Sequence, residues 1–349
     1  MTYKKDGFTS NRKDDHIKAC LENDVKYKTL QTGFQNFKLH PLTLVDISPD
    51  QVNAESEIFG KKIDFPLLIS GMTGGSQLSQ DYNRKIAKVC NEFNIGMGVG
   101  SQRAAIENSN LIETFQIRNI APDVPLIANL GLSQFNKGYG KKEADLAVDM
   151  IGADALAIHI NPLQELVQLE GDGKHSYSLD KLELLIPQLN MPVILKGVGT
   201  GFSKIDLENL AKLKPYAIDI AGAGGTNWTK IEYIRNKKLE YISDEFVEQG
   251  ISTIESLNNA TNTRMKSEFK IIASGGIWAG TDAVKALIMG ADYVAFALPV
   301  LRTLAKGGED ELRKFMSNYI LELKTSMAML GSKNLHQLKV DKDKKIGRI

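Results

Sequence analysis

The run DALAIHI, residues 154 to 160, decides the reading of this chain: an apolar stretch that ends on a histidine and leads into NPLQE, residues 161 to 165. A strand that is apolar along its length, instead of on alternate residues, is buried on both faces, as parallel strands covered by helices are. Seven more such runs lie on either side of it: FPLLISG (65 to 71), IGMGVG (95 to 100), PLIANLG (125 to 131), PVILKG (192 to 197), YAIDIAG (216 to 222), FKIIASG (269 to 275) and DYVAFA (292 to 297). Each closes on small or polar residues and is followed by a helical pattern. Eight units of this kind predict an α/β protein, a closed (β/α)8 TIM barrel. An open doubly wound sheet would carry about six strands and a GxGxxG first turn, which the first run lacks.

The chain divides around that repeat. Residues 1 to 62 form an N-terminal segment with a short helix near 12 to 23, followed by LTLVDI and SEIFGKKID, which are expected to pair as an antiparallel cap under the barrel. Residues 63 to 330 are the barrel, and 331 to 349 a tail whose DKDKKIGRI fits no pattern and is expected to be disordered. Between the sixth and seventh runs lies an insertion, 221 to 268, predicted to hold a helix over roughly 244 to 265 with Ser243 as N-cap and Asp244 and Glu245 in its first turn. Long ordered insertions on a barrel often serve as lids.

Composition narrows the function. With 43 Lys+Arg against 42 Asp+Glu the net charge is +1, which removes the simplest argument for nucleic-acid binding. Hydrophobic residues at 42% supply a large core. Cys20 and Cys90 cannot build a disulfide framework or a cysteine zinc cluster, so a metal would need oxygen or histidine ligands. The opening MTYKKDGFTSNRKDDH has no apolar core of a signal peptide, and no window of about 18 apolar residues exists, so a cytoplasmic protein without a membrane partner is expected.

Barrel chemistry gathers at the carboxyl ends of the strands. Those ends offer Ser70, Met72 and Thr73; Ser101 and Arg103; Asn129; His159 and Asn161; Lys196; Thr226; Gly275 and Gly276; and Ala297. ASGGIWAG runs into the helical TDAVKALIMG, and the eighth run into ALP, so adjacent loops present small residues with accessible amides, the recurring phosphate site of barrels. Elsewhere a Gly-Gly pair would read as a tight turn. Lys196 ends an otherwise apolar strand, so its ammonium leaves the core at the mouth, either snorkelling at the rim or facing a negative group such as the edge of a reduced flavin. Thr73, Ser101 and Asn129 suit the hydrogen-bonding edges of a planar polar ligand.

Two further segments are dense in chemistry. HINPLQE, 159 to 165, places an imidazole, amides and a carboxylate beside a rigid proline, and Glu165 is a hard-oxygen ligand suited to Mg2+. RKDDH, 12 to 16, sets Arg12 and His16 on one helical face with Lys13 nearby. Alone it reads as a solvated face; folded over a phosphate-holding mouth it would grip an anion.

RKDDH, SGMTGG, GSQR, HINPLQE, GAGGTNW and ASGGIWAG, in this order, resemble type 2 isopentenyl-diphosphate isomerases over about residues 10 to 330. The resemblance implies an FMN-dependent barrel that interconverts isopentenyl and dimethylallyl diphosphate with reduced flavin and Mg2+, without net redox change, as a homotetramer or homo-octamer. NADPH would serve only to reduce the flavin. Carried over, Arg12, Lys13, His16, Arg103, His159 and Asn161 would grip the diphosphate, and Glu165 would bind Mg2+. Gln164 would lie beside the reacting carbons, with His159 and Lys196 completing the catalytic set. Met72, Thr73, Ser101, Asn129 and Lys196 would hold the flavin ring. Ser203, Thr226, Gly276, Ala279 or Gly280, and Ala297 would hold its phosphate end.

One departure stands out: where the family reads GGIR this chain has GGIW, so an arginine contact at Trp278 is absent. Three other readings compete. A 2-hydroxy-acid oxidase of the same barrel type wants a His base and Arg clamps on the late strands, where this chain has glycines, Thr226 and Trp278. A nucleotide dehydrogenase would need a cysteine where GAGGTNW stands. A non-catalytic flavin-binding sensor would have no use for Gln164.

Overall fold

The computed structural model describes residues 6–168, 178–236 and 242–349. All eight runs form strands, here β1 (Leu67–Ile69), β2 (Gly96–Gly98), β3 (Leu126–Gly131), β4 (Ala155–Ile160), β5 (Val193–Gly197), β6 (Ala217–Asp219), β7 (Lys270–Ser274) and β8 (Tyr293–Phe296). Each pairs in parallel with the next, and β8 closes on β1 with Val294 opposite Leu67. Leu68, Ile127, Ile194 and Ile272 pack together inside the barrel, while Leu67, Leu126, Leu195 and Ile271 face the helices. Both faces are therefore buried, each aliphatic side chain contributing about 1.5–3 kcal/mol of transfer free energy. Among the described residues no helix is long and apolar enough to cross a membrane.

The register aligns the mouth. Gly131 lies opposite His159, His159 opposite Lys196, and Lys196 opposite Asp219, so β3 to β6 deliver these residues at one level.

The antiparallel cap forms, but not from the expected pair. Ser56–Ile58 and Lys61–Ile63 form a hairpin on their own, turning at Phe59 and Gly60, both with positive φ. Ile58 and Ile63 are fully buried and plug the lower end of the barrel core. LTLVDI stays irregular: Leu44 is 93% exposed, while Ile47 packs half-buried against the core without pairing as a strand. The tail is ordered too. Ile346–Arg348 pairs antiparallel with Phe37–Leu39, using backbone groups that the charged side chains of DKDKKIGRI do not reveal.

The insertion is not one helix over 244 to 265. Ser243 does cap a helix, but it is only Asp244–Val247, and a second runs Thr253–Arg264 with Ser252 as its cap. Nor do the described parts form a lid over an opening. Thr253 Oγ1 donates to the carbonyls of Gly275 and Ala223, bracing the glycine loop after β7 from behind. Glu248 accepts hydrogen bonds from the amides of Lys28, Thr29 and Leu30, and the Tyr27 hydroxyl donates to the Gly199 carbonyl. The insertion thus ties down the N-terminal segment.

That segment carries the helix Asp6–Glu22, longer than the expected 12 to 23 at its start. Ile17 and Cys20 bury against Ile231, Leu298 and Leu301 at the barrel mouth. Ser76 Oγ donates to Asp14 at 2.5 Å, and Arg302, on the helix that follows β8, donates to the carbonyls of Cys20 and Asn23, fastening the helix to the barrel at its middle and its end.

Candidate active site

Docking the N-terminal helix roofs one hollow at the carboxyl ends of the strands. Its lining includes Arg12, Lys13 and His16 from the helix, Met72, Thr73, Ser101 and Arg103 from the first two loops, and Asn129, His159, Asn161, Gln164, Glu165, Lys196, Thr226, Gly276 and Ala297 from the rest. Residues as far apart in sequence as Arg12 and Ala297, 285 positions, thus meet in one place.

Three expected residues lie elsewhere. Ser203 does not line the hollow; it N-caps the helix Lys204–Lys212, accepting from the Asp206 amide and donating to the Asp206 carboxylate at 2.6 Å. Ala279 and Gly280 do not line it either, and the helix they begin is capped from within the protein. Glu322 accepts from the amides of Gly280 and Thr281 at 3.2 and 3.1 Å, placing a carboxylate where a phosphate was expected. The small-residue surface narrows to the loops after β6 and β7. A Cβ on Gly275 would stand 2.1 Å from the Gly222 carbonyl oxygen, and one on Gly225 2.2 Å from the Gly276 amide nitrogen, so only glycine lets these two loops lie against each other.

Charge is distributed unevenly. Burial, reinforced by Arg12 and Arg103, pushes the Lys13 ammonium down to about 7. Burial, with Lys13, Lys196 and Arg103 close by, pushes His159 down to about 3, so its imidazole is neutral at physiological pH. Its Nδ1 lies 2.9 Å from Asn129 Oδ1, and Asn129 Nδ2 donates to the Val99 carbonyl, which fixes the ring.

Sequence reasoning missed two carboxylates. Glu232, fully buried on the helix Trp228–Arg235, accepts from Gln164 Nε2 at 2.9 Å and sits 2.8 Å from His16 Nε2, with Arg235 at 2.5 Å. Burial would raise its carboxyl, but the His16 hydrogen bond, His16 and Arg235 charges and Gln164 hold it below the usual range. His16 is itself lowered, chiefly by burial against the pull of Glu232. Asn161 Nδ2 donates to Gln164 Oε1 at 3.1 Å, so both ends of the Gln164 amide are fixed. The second is Asp219, 2.8 Å from Lys196 and 2.5 Å from Ser274 Oγ. Trp278, the departure from the expected arginine, also lines the hollow and carries Lys26 Nζ 5.6 Å from its ring centre, so a cation remains near that loop.

The profile of FMN-dependent dehydrogenases matches residues 9–115 and 132–344. An isopentenyl-diphosphate delta-isomerase from Synechocystis sp. is 41% identical over 332 residues, 95% of this chain and 94% of that protein. Another of that name from Pyrococcus horikoshii is 40% identical over 344 residues, 96% of this chain and 92% of the other. The chain belongs to the isopentenyl-diphosphate delta-isomerase family. Among solved structures, a flavocytochrome b2 variant with benzoylformate superposes with a TM-score of 0.68 at 19% identity, covering 95% of this chain and 82% of that one. A mandelate oxidase variant with an FMN adduct gives 0.61 at 15%, covering 93% and 90%. These likenesses carry the barrel alone, so the oxidase reading gains nothing from them.

The residues present suit the groups such an isomerase would use. Asn161 Oδ1 is buried without a hydrogen-bond partner beside the buried Glu165 carboxylate, two hard-oxygen donors for Mg2+. Among the described residues no three His, Cys, Asp or Glu side chains form a metal cage, so further ligands would be water or substrate phosphate oxygens. Ser70 Oγ, also buried and unpartnered on the wall of the hollow, suits an edge of a flavin.

Proposed function

We propose that this chain interconverts isopentenyl and dimethylallyl diphosphate using reduced FMN and Mg2+, in the hollow roofed by its N-terminal helix. The observation that carries the reading is the crowding of Lys13, Arg12 and Arg103 to the point where Lys13 falls to about 7. A protein keeps such a cluster when an anion completes it. The hollow is lined from the N-terminal helix and from the ends or loops of all eight strands, the sixth through Ala221 and Thr226, so a ring ligand on the strand ends and an anion under the helix would share it.

Bound reduced FMN would supply an acid/base nitrogen and an electron-rich face able to stabilise developing positive charge. Thr73, Ser101, Asn129 and Lys196 would hold the ring, with Met72 beside it, and Thr226, Gly276 and Ala297 its phosphate. Arg12, Lys13, Arg103, neutral His159 and Asn161 bind and orient the diphosphate. His16 reaches it while held by Glu232. Glu165 would hold Mg2+ against it. Gln164, locked between Asn161 and Glu232, positions the reacting carbons and excludes water from them. NADPH as the source of the priming electrons, a cytoplasmic location and a homotetramer or homo-octamer complete the reading on the strength of the family resemblance.

The test is an anaerobic assay with isopentenyl diphosphate in deuterated water, omitting FMN, reductant or Mg2+ in turn. The expected result is product and deuterium incorporation only in the complete mixture, with Glu165→Ala raising the Mg2+ needed. Yellow protein that binds FMN yet incorporates no deuterium would favour the sensor.

A further inference from the structure

Asp219 is a carboxylate inside an apolar strand, 4% exposed, lining a small cavity inside the barrel that shares Lys196, Ser70 and Asn129 with the hollow. Its Oδ2 lies 2.8 Å from Lys196 Nζ, and its Oδ1 accepts from Ser274 Oγ at 2.5 Å and from the Ala221 amide at 3.3 Å. The β5–β6 register sets Lys196 and Asp219 side by side, so the pair is built by the barrel itself and not by a flexible loop. Around it stand Ile127, Ile194 and Ile272, which keep the local dielectric low and a neighbouring charge strongly felt. A buried lysine needs an acceptor, but three donors converging on one carboxylate do more than satisfy it: they fix the charge in place.

We propose that Asp219 is a positioning residue that aims Lys196 at the flavin and offsets part of its charge, thereby setting how strongly the site prefers reduced over oxidised FMN. This rests on the reading that the flavin ring lies against Lys196. A negative charge accumulates on the ring on reduction, so an uncompensated Lys196 would favour the reduced form, and Asp219 moderates that preference. The isosteric Asp219→Asn keeps an acceptor for Lys196 and removes the charge. Lys196→Met removes the cation and leaves Asp219 without its partner.

The experiment is a spectroelectrochemical titration of bound FMN in the holoenzyme, with FMN affinity measured in parallel. Asp219→Asn is expected to raise the preference for reduced over oxidised FMN about tenfold, equivalent to ~30 mV upward for a two-electron couple. Lys196→Met is expected to move it the other way. Ser274→Ala, which removes one donor to Asp219 and leaves both charges, should shift the potential much less while keeping FMN, and it serves if Asp219→Asn does not fold. An unchanged or lower potential in Asp219→Asn, or a Ser274→Ala shift as large as that from loss of the charge, would overturn the assignment. Wild-type protein that binds no FMN would instead defeat the flavin reading on which it stands.

Discussion

The two sides of the barrel mouth treat positive charge in opposite ways. Toward β5 to β7, Lys196 faces Asp219 at 2.8 Å, and on the roof Arg235 faces Glu232: the protein brings its own counter-charge. Toward β2 and the N-terminal helix, Lys13 donates to the Ser101 carbonyl at 3.4 Å and is pressed by Arg12 and Arg103. Arg103 has the half-exposed Glu107 at 3.7 Å, a weak partner. Where a carboxylate is built in, the charge is answered within the protein; where cations crowd one another, the proposed function puts the substrate's diphosphate.

The sharpest way to break this comparison is to remove the acid that joins the roof to the floor. Glu232→Ala takes from buried His16 its carboxylate partner and from Arg235 the nearer of its two carboxylates, and the cost is expected to be about 3–5 kcal/mol in denaturant unfolding. A loss below about 1 kcal/mol would mean that the network is not holding the roof. Next in size, Gln164→Ala should lower kcat on the order of 100-fold with FMN retained, since the proposed function has the residue orient the substrate. Unchanged kcat and KM would remove Gln164 from the mechanism.

A smaller effect comes from pH. The free site binds a proton on Lys13 with a pKa of about 7, against 10.5 for an ordinary lysine, and a bound diphosphate would raise it. The complex therefore holds more protons than the free enzyme above pH 7, and substrate affinity should fall as pH rises beyond about 7, by at most about tenfold per unit. Calorimetric titration in buffers of different ionisation enthalpy should show proton uptake at pH 8. Proton release would contradict the assignment. The same shift affects stability with the opposite slope. The unfolded chain holds the Lys13 proton up to about 10.5, so the penalty for burying this lysine is full below pH 7 and relieved as pH climbs from 7 toward 10.5.

Much of this contrast was legible beforehand. Continuous apolar runs identified all eight strands, because burial on both faces leaves a mark on every residue, and a lysine ending PVILKG had to point at the mouth. The same logic applied to YAIDIAG would have flagged Asp219, an acid in an equally apolar strand. Glu232 left no such signal: in WTKIEYIR it looks like a surface glutamate, and only the docking of a helix some 200 residues earlier in sequence buries it. Ser203, Ala279 and Gly280, which do not line the hollow, show a related ambiguity. Helix starts look alike whether a phosphate or the protein's own Asp206 and Glu322 satisfies them. The tail strand Ile346–Arg348 was hidden because three residues carry no period, and its partner Phe37–Leu39 lies at the other end of the chain.

The most direct test of the division is to titrate FMN and isopentenyl diphosphate separately into Arg12→Ala and Lys196→Met. Arg12→Ala should weaken substrate binding about ten- to a hundredfold, the worth of a charged hydrogen bond of ~1.5–3 kcal/mol, with FMN affinity nearly unchanged. Lys196→Met should do the reverse, losing more affinity for FMN than for substrate. Equal losses of both ligands in both variants would contradict the account, since the mouth would then be one undivided field of charge.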